Sequence, residues 1–321
     1  MINGFALNDG RLSPLADPLA EEARPIWLDL LNPLPHHTRA IEARYGIKVP
    51  SRERMEEIEE SSRLYGDGGA IYMTVSLPVR TELDMPLLVP VTFILTPEIL
   101  VTVHDYSPRA FQTFPTRAER IDLGCRDSDS VLLALLDAVV DRLADILEEG
   151  GREIEKLSRE VLHVIPGEQA KDYRLVLRDI GHHGEVVSHV QRSLVSIERM
   201  FVFFGPATAT RPLSKDSRAR LKSLNRDARF LTEHANFLTQ KIQFLLDATL
   251  GMIGIEQNAT IKIFSVAAVV FLPPTLIASI YGMNFEIMPE LSWAFGYPFA
   301  LGLMVMSAWL SYWIFKRQGW L

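Results

Sequence analysis

Two uncharged apolar runs near the C-terminus, Ile263 to Ile280 and Trp293 to Phe315, stand apart from everything before them. Each is close to the about twenty apolar residues a helix needs to cross a bilayer core, so the pair predicts a transmembrane hairpin around Tyr281-Gly282-Met283-Asn284. From Ser214 no proline interrupts the chain until Pro273. Over that stretch Leu221, Leu224, Ala228, Leu231, Ala235, Leu238, Ile242, Leu245, Thr249 and Met252 recur at steps of three and four. This heptad seam predicts helix packing. As a single helix, Ser214 to Tyr281 is roughly 100 Å long, a stalk that continues into the first apolar run.

The first 125 residues have a different texture. Apolar bursts at Pro25 to Leu31, Ala70 to Leu77, Leu87 to Leu95 and Ile99 to His104 are short, rich in β-branched residues and bounded by Pro, Gly or Asp, which predicts strands of a largely buried sheet. Arg52 to Arg63 reads as one intervening helix. From Ser128 the pattern turns helical, with Asp127 or Ser128 as cap and a stop near Pro166-Gly167. A second helix is expected from Glu168 to about Phe204, broken by Gly205-Pro206. Its His182, His183 and His189 are expected on exposed positions, and their spacing favours ordinary polar-face histidines over a metal cluster.

The expected fold is an α+β membrane protein: an N-terminal cytosolic α/β domain, a long stalk helix continuous with the first transmembrane helix, and a two-helix C-terminal membrane hairpin. The expected boundaries are 1–127 for the α/β domain, 128–212 for a helical hairpin and 213–260 for the stalk. They continue with 261–282 for the first span, 283–292 for an external loop, 293–315 for the second span and 316–321 for a basic tail.

Composition narrows the function. A formal charge of −7 over 321 residues argues against a nucleic-acid partner. Cys125 is the only cysteine, which excludes intramolecular disulfides and Cys-rich metal sites and fits a reducing compartment. Met1 to Asp9 lacks a basic region followed by an apolar stretch, so no cleavable signal peptide is expected and the C-terminal helices should direct insertion. Lys262 precedes the first span and Lys316 and Arg317 follow the second, whereas the loop between carries Glu286 and Glu290 and no positive charge. Both termini are therefore expected on the cytoplasmic side of the inner membrane. No GxxxxGK[ST] phosphate loop and no nucleophile–base pairing stands out, so no enzyme is expected.

A second stripe follows the stalk seam at a different angle: Asn258, Ile261, Ser265, Ala268, Leu272, Thr275 and Ser279, ending beside Gly282 and Asn284. Its residues are mostly small or polar. Such a face serves either helix–helix packing or a water-filled pore. A pore would alternate oxygen-bearing positions (Asn258, Thr275, Asn284) with apolar constrictions (Ile261, Leu272), and it would require a cyclic homo-oligomer. Pro273-Pro274 would free carbonyls within the membrane. With no charge inside either span, an amide ring at Asn284 suits a cation that keeps its waters, as magnesium does. Glu286 and Glu290 would either concentrate cations or only keep the loop out of lipid.

Tyr281-Gly282-Met283-Asn284, the following Phe285-Glu286-Ile287-Met288-Pro289-Glu290-Leu291, Phe295-Gly296-Tyr297-Pro298 and the terminus ending Trp320-Leu321 resemble the CorA magnesium transporters, as do Ile255-Glu256-Gln257-Asn258 and Lys262-Ile263-Phe264-Ser265-Val266. The resemblance implies a homopentamer in the lipid bilayer whose first membrane helices line a central pore. It implies magnesium as transported and regulatory ion, with no organic cofactor. Gly282, Met283 and Asn284 would form the selectivity filter. The pore positions would be Asn258, Ile261, Phe264 or Ser265, Ala268, Leu272 and Thr275. Lys316 and Arg317 resemble a cytoplasmic basic ring with fewer positive charges than some members carry. Cytosolic magnesium sensing would fall to Asp227, with Glu82 and Asp84 as partners, or to Asp247. Alternatives are a zinc, cobalt or nickel transporter of the same architecture, or a membrane-anchored receptor.

Overall fold

The computed structural model describes residues 1–83, 85–162, 172–208, 213–283, 288–289 and 293–317, with the backbone alone at residue 60. The chain forms two units, Met1–Leu246 and Asp247–Leu321.

The first unit is built on a seven-stranded sheet in the order β2-β1-β3-β7-β6-β5-β4. The four strands expected from the apolar bursts are β3 (Trp27–Leu31), β5 (Ala70–Val79), β6 (Leu87–Leu95) and β7 (Leu100–His104). Three strands were not foreseen: β1 (Ile2–Asn8), β2 (Arg11–Pro14) and β4 (Leu64–Asp67). The β1–β2 hairpin turns at Asp9-Gly10, both with positive φ (49° and 79°). Asp-Gly is the favoured pair for such a turn. A Cβ on Gly10 would also lie 2.2 Å from Arg126 Nη1. Only β3 and β7 run parallel, the remaining pairs being antiparallel.

Helices cover both faces. On one, α1 (Pro35–Tyr45) and α2 (Arg52–Glu56) bury Ile41 and Met55 against Leu28, Leu30, Val101 and Val103. On the other, α4 (Arg109–Arg120) packs Phe111 and Phe114 edge-on to Trp27 at 6.5 and 5.6 Å between centroids. Polar groups under that face are linked to one another, although His104 Nδ1 is buried without a hydrogen-bond partner. Trp27 Nε1 donates to Thr102 Oγ1 (3.0 Å), which donates to Asp29 Oδ1 (2.7 Å), while His104 Nε2 lies 2.8 Å from the same carboxylate.

The single helix expected over Arg52 to Arg63 is divided into α2 and α3 (Glu60–Arg63). Glu57 turns extended, with ψ at 142°, and its carbonyl accepts from Arg63 Nε. Glu56, Glu57, Glu59 and Glu60 within five positions would place like charges one turn apart in a continuous helix. Breaking the helix relieves that repulsion.

Two long helices follow. Asp127 caps α5 (Ser128–Leu162), its Oδ1 accepting from Ser130 N at 2.8 Å. Asp172 caps α6 (Tyr173–Ala207), so this helix starts after the expected Glu168, which lies outside the described residues. Gly205-Pro206 does not break it. Proline in the last turn removes only one backbone donor, and the carbonyl it leaves belongs to Val202, which is exposed.

Helix α7 (Lys215–Tyr281) is continuous over 67 residues. Along its first part the expected seam is the buried one: Leu224, Ala228, Ala235, Leu238 and Leu245 are each at most 2% exposed. Glycines receive it, since Cβ atoms at Gly151 of α5 and Gly184 of α6 would touch Leu238 and Ile242 at 3.7 and 3.6 Å. Around that contact Gln191 Nε2 donates to Asn236 Oδ1 (2.6 Å), Thr232 donates to Glu198, and Lys241 pairs with Glu155.

Candidate ion path along the long helix

The second unit contains the C-terminal part of α7 and α8 (Gly296–Arg317). Both helices are long and apolar enough to cross a membrane, and almost none of their apolar windows is buried. At about 1.5 Å per residue α8 is about 33 Å long, the thickness of a bilayer hydrocarbon core. Aromatic residues gather at both its ends. Trp293 lies 6.4 Å from Phe295 and 5.8 Å from Phe299. At the other end Lys316 and Arg317 sit over the rings of Tyr312 and Trp313, at 5.9 and 5.3 Å. Aromatic belts of this kind mark membrane–water interfaces.

On α7 the stripe foreseen from spacing is an open face. Asn258, Ala268, Thr275 and Ser279 are exposed, Ile261 and Leu272 are 61% and 68% exposed, and Ser265 is half-buried. Val266, Val270, Pro273, Pro274, Ile277 and Tyr281 are buried or half-buried on roughly the opposite side, at about 100° per residue. The stripe also continues in the other direction, which the sequence reading missed. Down the helix in sevens from Asn258 come Gly251, Phe244, Phe237 and Phe230, and the three phenylalanines are 56%, 57% and 68% exposed. Three phenylalanines open to solvent on one heptad line are unusual for a folded surface. The signal is present in the sequence, with the first phenylalanine two steps of seven before Asn258.

Pro273 and Pro274 lie inside α7 without ending it. Lacking N–H groups, they leave the carbonyls of Val269 and Val270 without their usual partners. One turn above, the Thr275 hydroxyl donates to the Phe271 carbonyl at 2.8 Å, so its oxygen keeps its lone pairs on the exposed face. The helix closes at Gly282, whose N–H donates to Ala278 O at 2.9 Å. A Cβ there would lie 3.1 Å from that oxygen. Glycine is thus the residue that lets the chain leave the helix so tightly, and Met283 follows, 49% exposed. Asn284, Glu286 and Glu290 lie outside the described residues.

Of the expected regulatory carboxylates, Glu82 and Asp227 lie in the first unit and Asp247 begins the second. Glu82 accepts from Arg109 and, at 3.1 Å, from Arg142, so a cation there would compete with two guanidinium groups. Asp84 lies outside the described residues. Asp227 is exposed on α7, with Ser223 Oγ at 3.3 Å and Arg226 Nε at 3.8 Å. A neighbour missed by the sequence reading is Asp141 of α5, whose carboxyl is held above its usual range by burial, then by Asp137, with Asp145 and Asp227 adding to the effect. Asp137, Asp141 and Asp145 recur every fourth residue, a turn spacing visible in the sequence. Asp247, also exposed, lies farther along α7. Among the described residues no three His, Cys, Asp or Glu side chains are grouped to hold a metal.

The expected exposure of the α6 histidines does not hold, His182 being half-buried as well. His189 is 6% exposed and His183 half-buried, and burial lowers the basicity of both.

Residues 22–317 match the family model described as CorA-like Mg2+ transporter protein. The chain belongs to this family. A CorA-family relative named magnesium transport protein CorA, from Pasteurella multocida, is 37% identical over the full length of both chains. The protein of the same name from Haemophilus influenzae is 35% identical, again over both full lengths. Among solved structures, the complete CorA magnesium transporter from Methanocaldococcus jannaschii superimposes with a TM-score of 0.76 at 21% identity, covering all of this chain and 99% of that one. That likeness establishes the CorA fold here: an N-terminal α/β domain, a long helix and two C-terminal apolar helices.

Proposed function

We propose that this CorA-family chain is a membrane channel for divalent cations, chiefly hydrated magnesium, formed by a ring of five identical copies. The observation that carries the proposal is the open stripe on α7. A single helix cannot enclose a path, whereas copies around an axis turn each stripe position into a ring. Asn258 and Thr275 then supply oxygen rings, Ile261 and Leu272 apolar constrictions, and Ser265 and Ala268 small positions where the wall widens. The exposed line of Phe230, Phe237 and Phe244 in the first unit separately supports self-association, because copies packed there would bury three aromatic side chains each. The magnesium named for the curated relatives is the ion assigned to this chain.

In this reading 261–282 and 293–315 are the two spans and both termini are cytoplasmic, with Lys316 and Arg317 on the positive-inside face. Gly282, Met283 and Asn284 form the outer filter. No charged side chain occurs in 263–283 or 293–315, so the path offers amide, hydroxyl and carbonyl dipoles and suits an ion that retains its water shell. Glu286 and Glu290 attract cations to the mouth. The membrane potential drives entry, at about 2.3 kcal/mol per elementary charge per 100 mV. Cytosolic magnesium closes the channel by bridging Asp227 to carboxylates of a neighbouring copy, which favours the closed population.

The test is flux into liposomes under an imposed inside-negative potential, comparing magnesium, cobalt, nickel and zinc. Asn284→Ala is expected to abolish selective magnesium uptake while leaving the assembly's mass unchanged. Retained selective uptake would remove Asn284 from the filter, and absence of any divalent flux in the parent protein would overturn the channel itself.

A further inference from the structure

Beyond Met73, strand β5 has no partner on its β4 side, because the β4–β5 register stops at the Leu64–Met73 pair. Helices α3 and α6 close this gap incompletely. Ser76 N donates across it to Ser196 Oγ at 3.1 Å, and a cavity of about 580 Å³ remains. Three guanidinium groups, from Arg63, Arg192 and Arg199, line it, and none of its lining residues is acidic. Arg63 donates to the Glu57 carbonyl and, at 3.4 Å, to Ser76 Oγ. None of the three arginines has a carboxylate partner among the described residues, whereas several other arginines of this unit do. Glu82 between Arg109 and Arg142 is the nearest example in kind.

Arginines gathered without an acid favour an anion. Arg63 is half-buried, whereas Arg192 and Arg199 stand exposed at the rim of the cavity; the planar guanidinium fork matches the oxygens of phosphate and carboxylate groups bidentately. The electrostatics agree: burial, and after it the neighbouring Arg199, hold the Arg63 guanidinium below its usual basicity. The Ser76 hydroxyl, which accepts from Arg63, adds a neutral donor, while the Ser196 hydroxyl is already engaged with the Ser193 carbonyl at 2.8 Å and with Ser76 N. The volume exceeds what a bare phosphate fills and falls within the about 300–1,000 Å³ of small-ligand pockets. Leu64, Leu88 and Val195 give it an apolar wall. A second cavity of about 550 Å³ shares Leu64, Val195 and Arg199 and adds Arg229, with Glu198 as its one acid.

From these features we infer that the cavity between β5, α3 and α6 binds the phosphoryl groups of a small organic phosphate, a nucleotide being the class that fits both the arginines and the apolar wall. The inference is independent of the ion path, and it gives this unit a ligand other than a metal ion.

Calorimetric titration of the full-length protein in detergent, freed of magnesium with EDTA, tests it with ATP, inorganic phosphate and adenosine as probes. ATP is expected to bind, inorganic phosphate to compete with it, and adenosine to give no heat. Arg192→Ala and Arg199→Ala remove exposed side chains and are expected to weaken ATP binding about tenfold or more each. Arg80→Ala, in a different cavity, is expected to leave it unchanged. Melting curves identify any variant that fails to fold, and two exposed positions keep the test open if Arg63→Ala does. Absence of ATP binding at millimolar concentration, equal binding of adenosine, or undiminished affinity in folded Arg192→Ala and Arg199→Ala overturns the inference.

Discussion

Arg220 of α7 donates from Nη2 to Asp137 Oδ2 of α5 at 2.9 Å and from Nη1 to the carbonyl of Leu123 at 2.8 Å. One partly buried guanidinium thereby ties the start of the long helix to α5 and to the loop that precedes α5. Arg220→Ala leaves a carboxylate and a carbonyl without their donor, and hydrogen bonds to charged groups contribute about 1.5–3 kcal/mol. Because both partners are partly solvated, the expected loss is about 1–2 kcal/mol. Thermal unfolding in detergent should register it as a lower midpoint. Arg220→Lys should recover only part of the loss, since an ammonium cannot span both acceptors in one plane.

The two long-range features of α7 were legible in the sequence for different reasons. Its buried seam follows from Leu224, Ala228, Ala235, Leu238 and Leu245, whose heptad spacing is a property of the local chain. Its open stripe is equally local, so Ile261 and Leu272 could be placed on one face without knowing any partner. By contrast, the Glu82 pairings join residues 27 and 60 positions apart, and no periodicity reports contacts between a loop and two helices. The arginine cavity was invisible for the same reason, as Arg63 and Arg199 come from different layers. The short strands β1, β2 and β4 escaped because two edge hairpins carry little apolar pattern. Asp9-Gly10 was nevertheless a turn signal that went unused.

Cys125 is 1% exposed, and burial pushes its thiol up to about 11. The reactive species is the thiolate, so at pH 8 this side chain is both protonated and shielded. Ellman's reagent should label it slowly in the folded protein and at the rate of a free thiol in guanidinium. Rapid labelling under native conditions would mean that the segment between α4 and α5 opens without global unfolding.

Phe237 lies near the middle of the exposed phenylalanine line and is 57% exposed. A change there costs a single copy little but places one charge per copy on the proposed contact between copies. Phe237→Glu should therefore leave the melting of the α/β unit within about 0.5 kcal/mol of the parent, as for most exposed substitutions. It should also reduce the assembly's mass by light scattering in detergent. An unchanged mass would show that copies do not meet along this line.

Asp227 is the exposed carboxylate of α7 proposed to bridge copies through magnesium. If that bridging stabilises the closed form, magnesium should protect the protein from limited proteolysis, and Asp227→Ala should raise the protective concentration about tenfold, within the usual span of coupling energies. Asp141→Asn serves as the companion variant, because Asp141 feels the Asp227 charge within the same chain. Equal protection of parent and Asp227→Ala would move regulation elsewhere, with Asp247 next in line.

Leu272 is the largest apolar side chain of the stripe's outer half and is 68% exposed, just before the Pro273-Pro274 pair. In a ring of copies its side chains would meet at the axis and exclude water, which makes hydrated-ion passage costly when the ring is tight. Leu272→Ala removes the bulk without adding a polar atom, so any change in resting conductance reports dewetting and not new coordination. The resting magnesium leak into liposomes is expected to rise several-fold, with ion preference unchanged because Asn284 is intact. Leu272→Ile keeps the volume and should restore the low leak. If Leu272→Ala leaks no more than the parent, the apolar barrier lies at another ring of the stripe, and Ile261→Ala, at the other apolar position, becomes the variant that should open it.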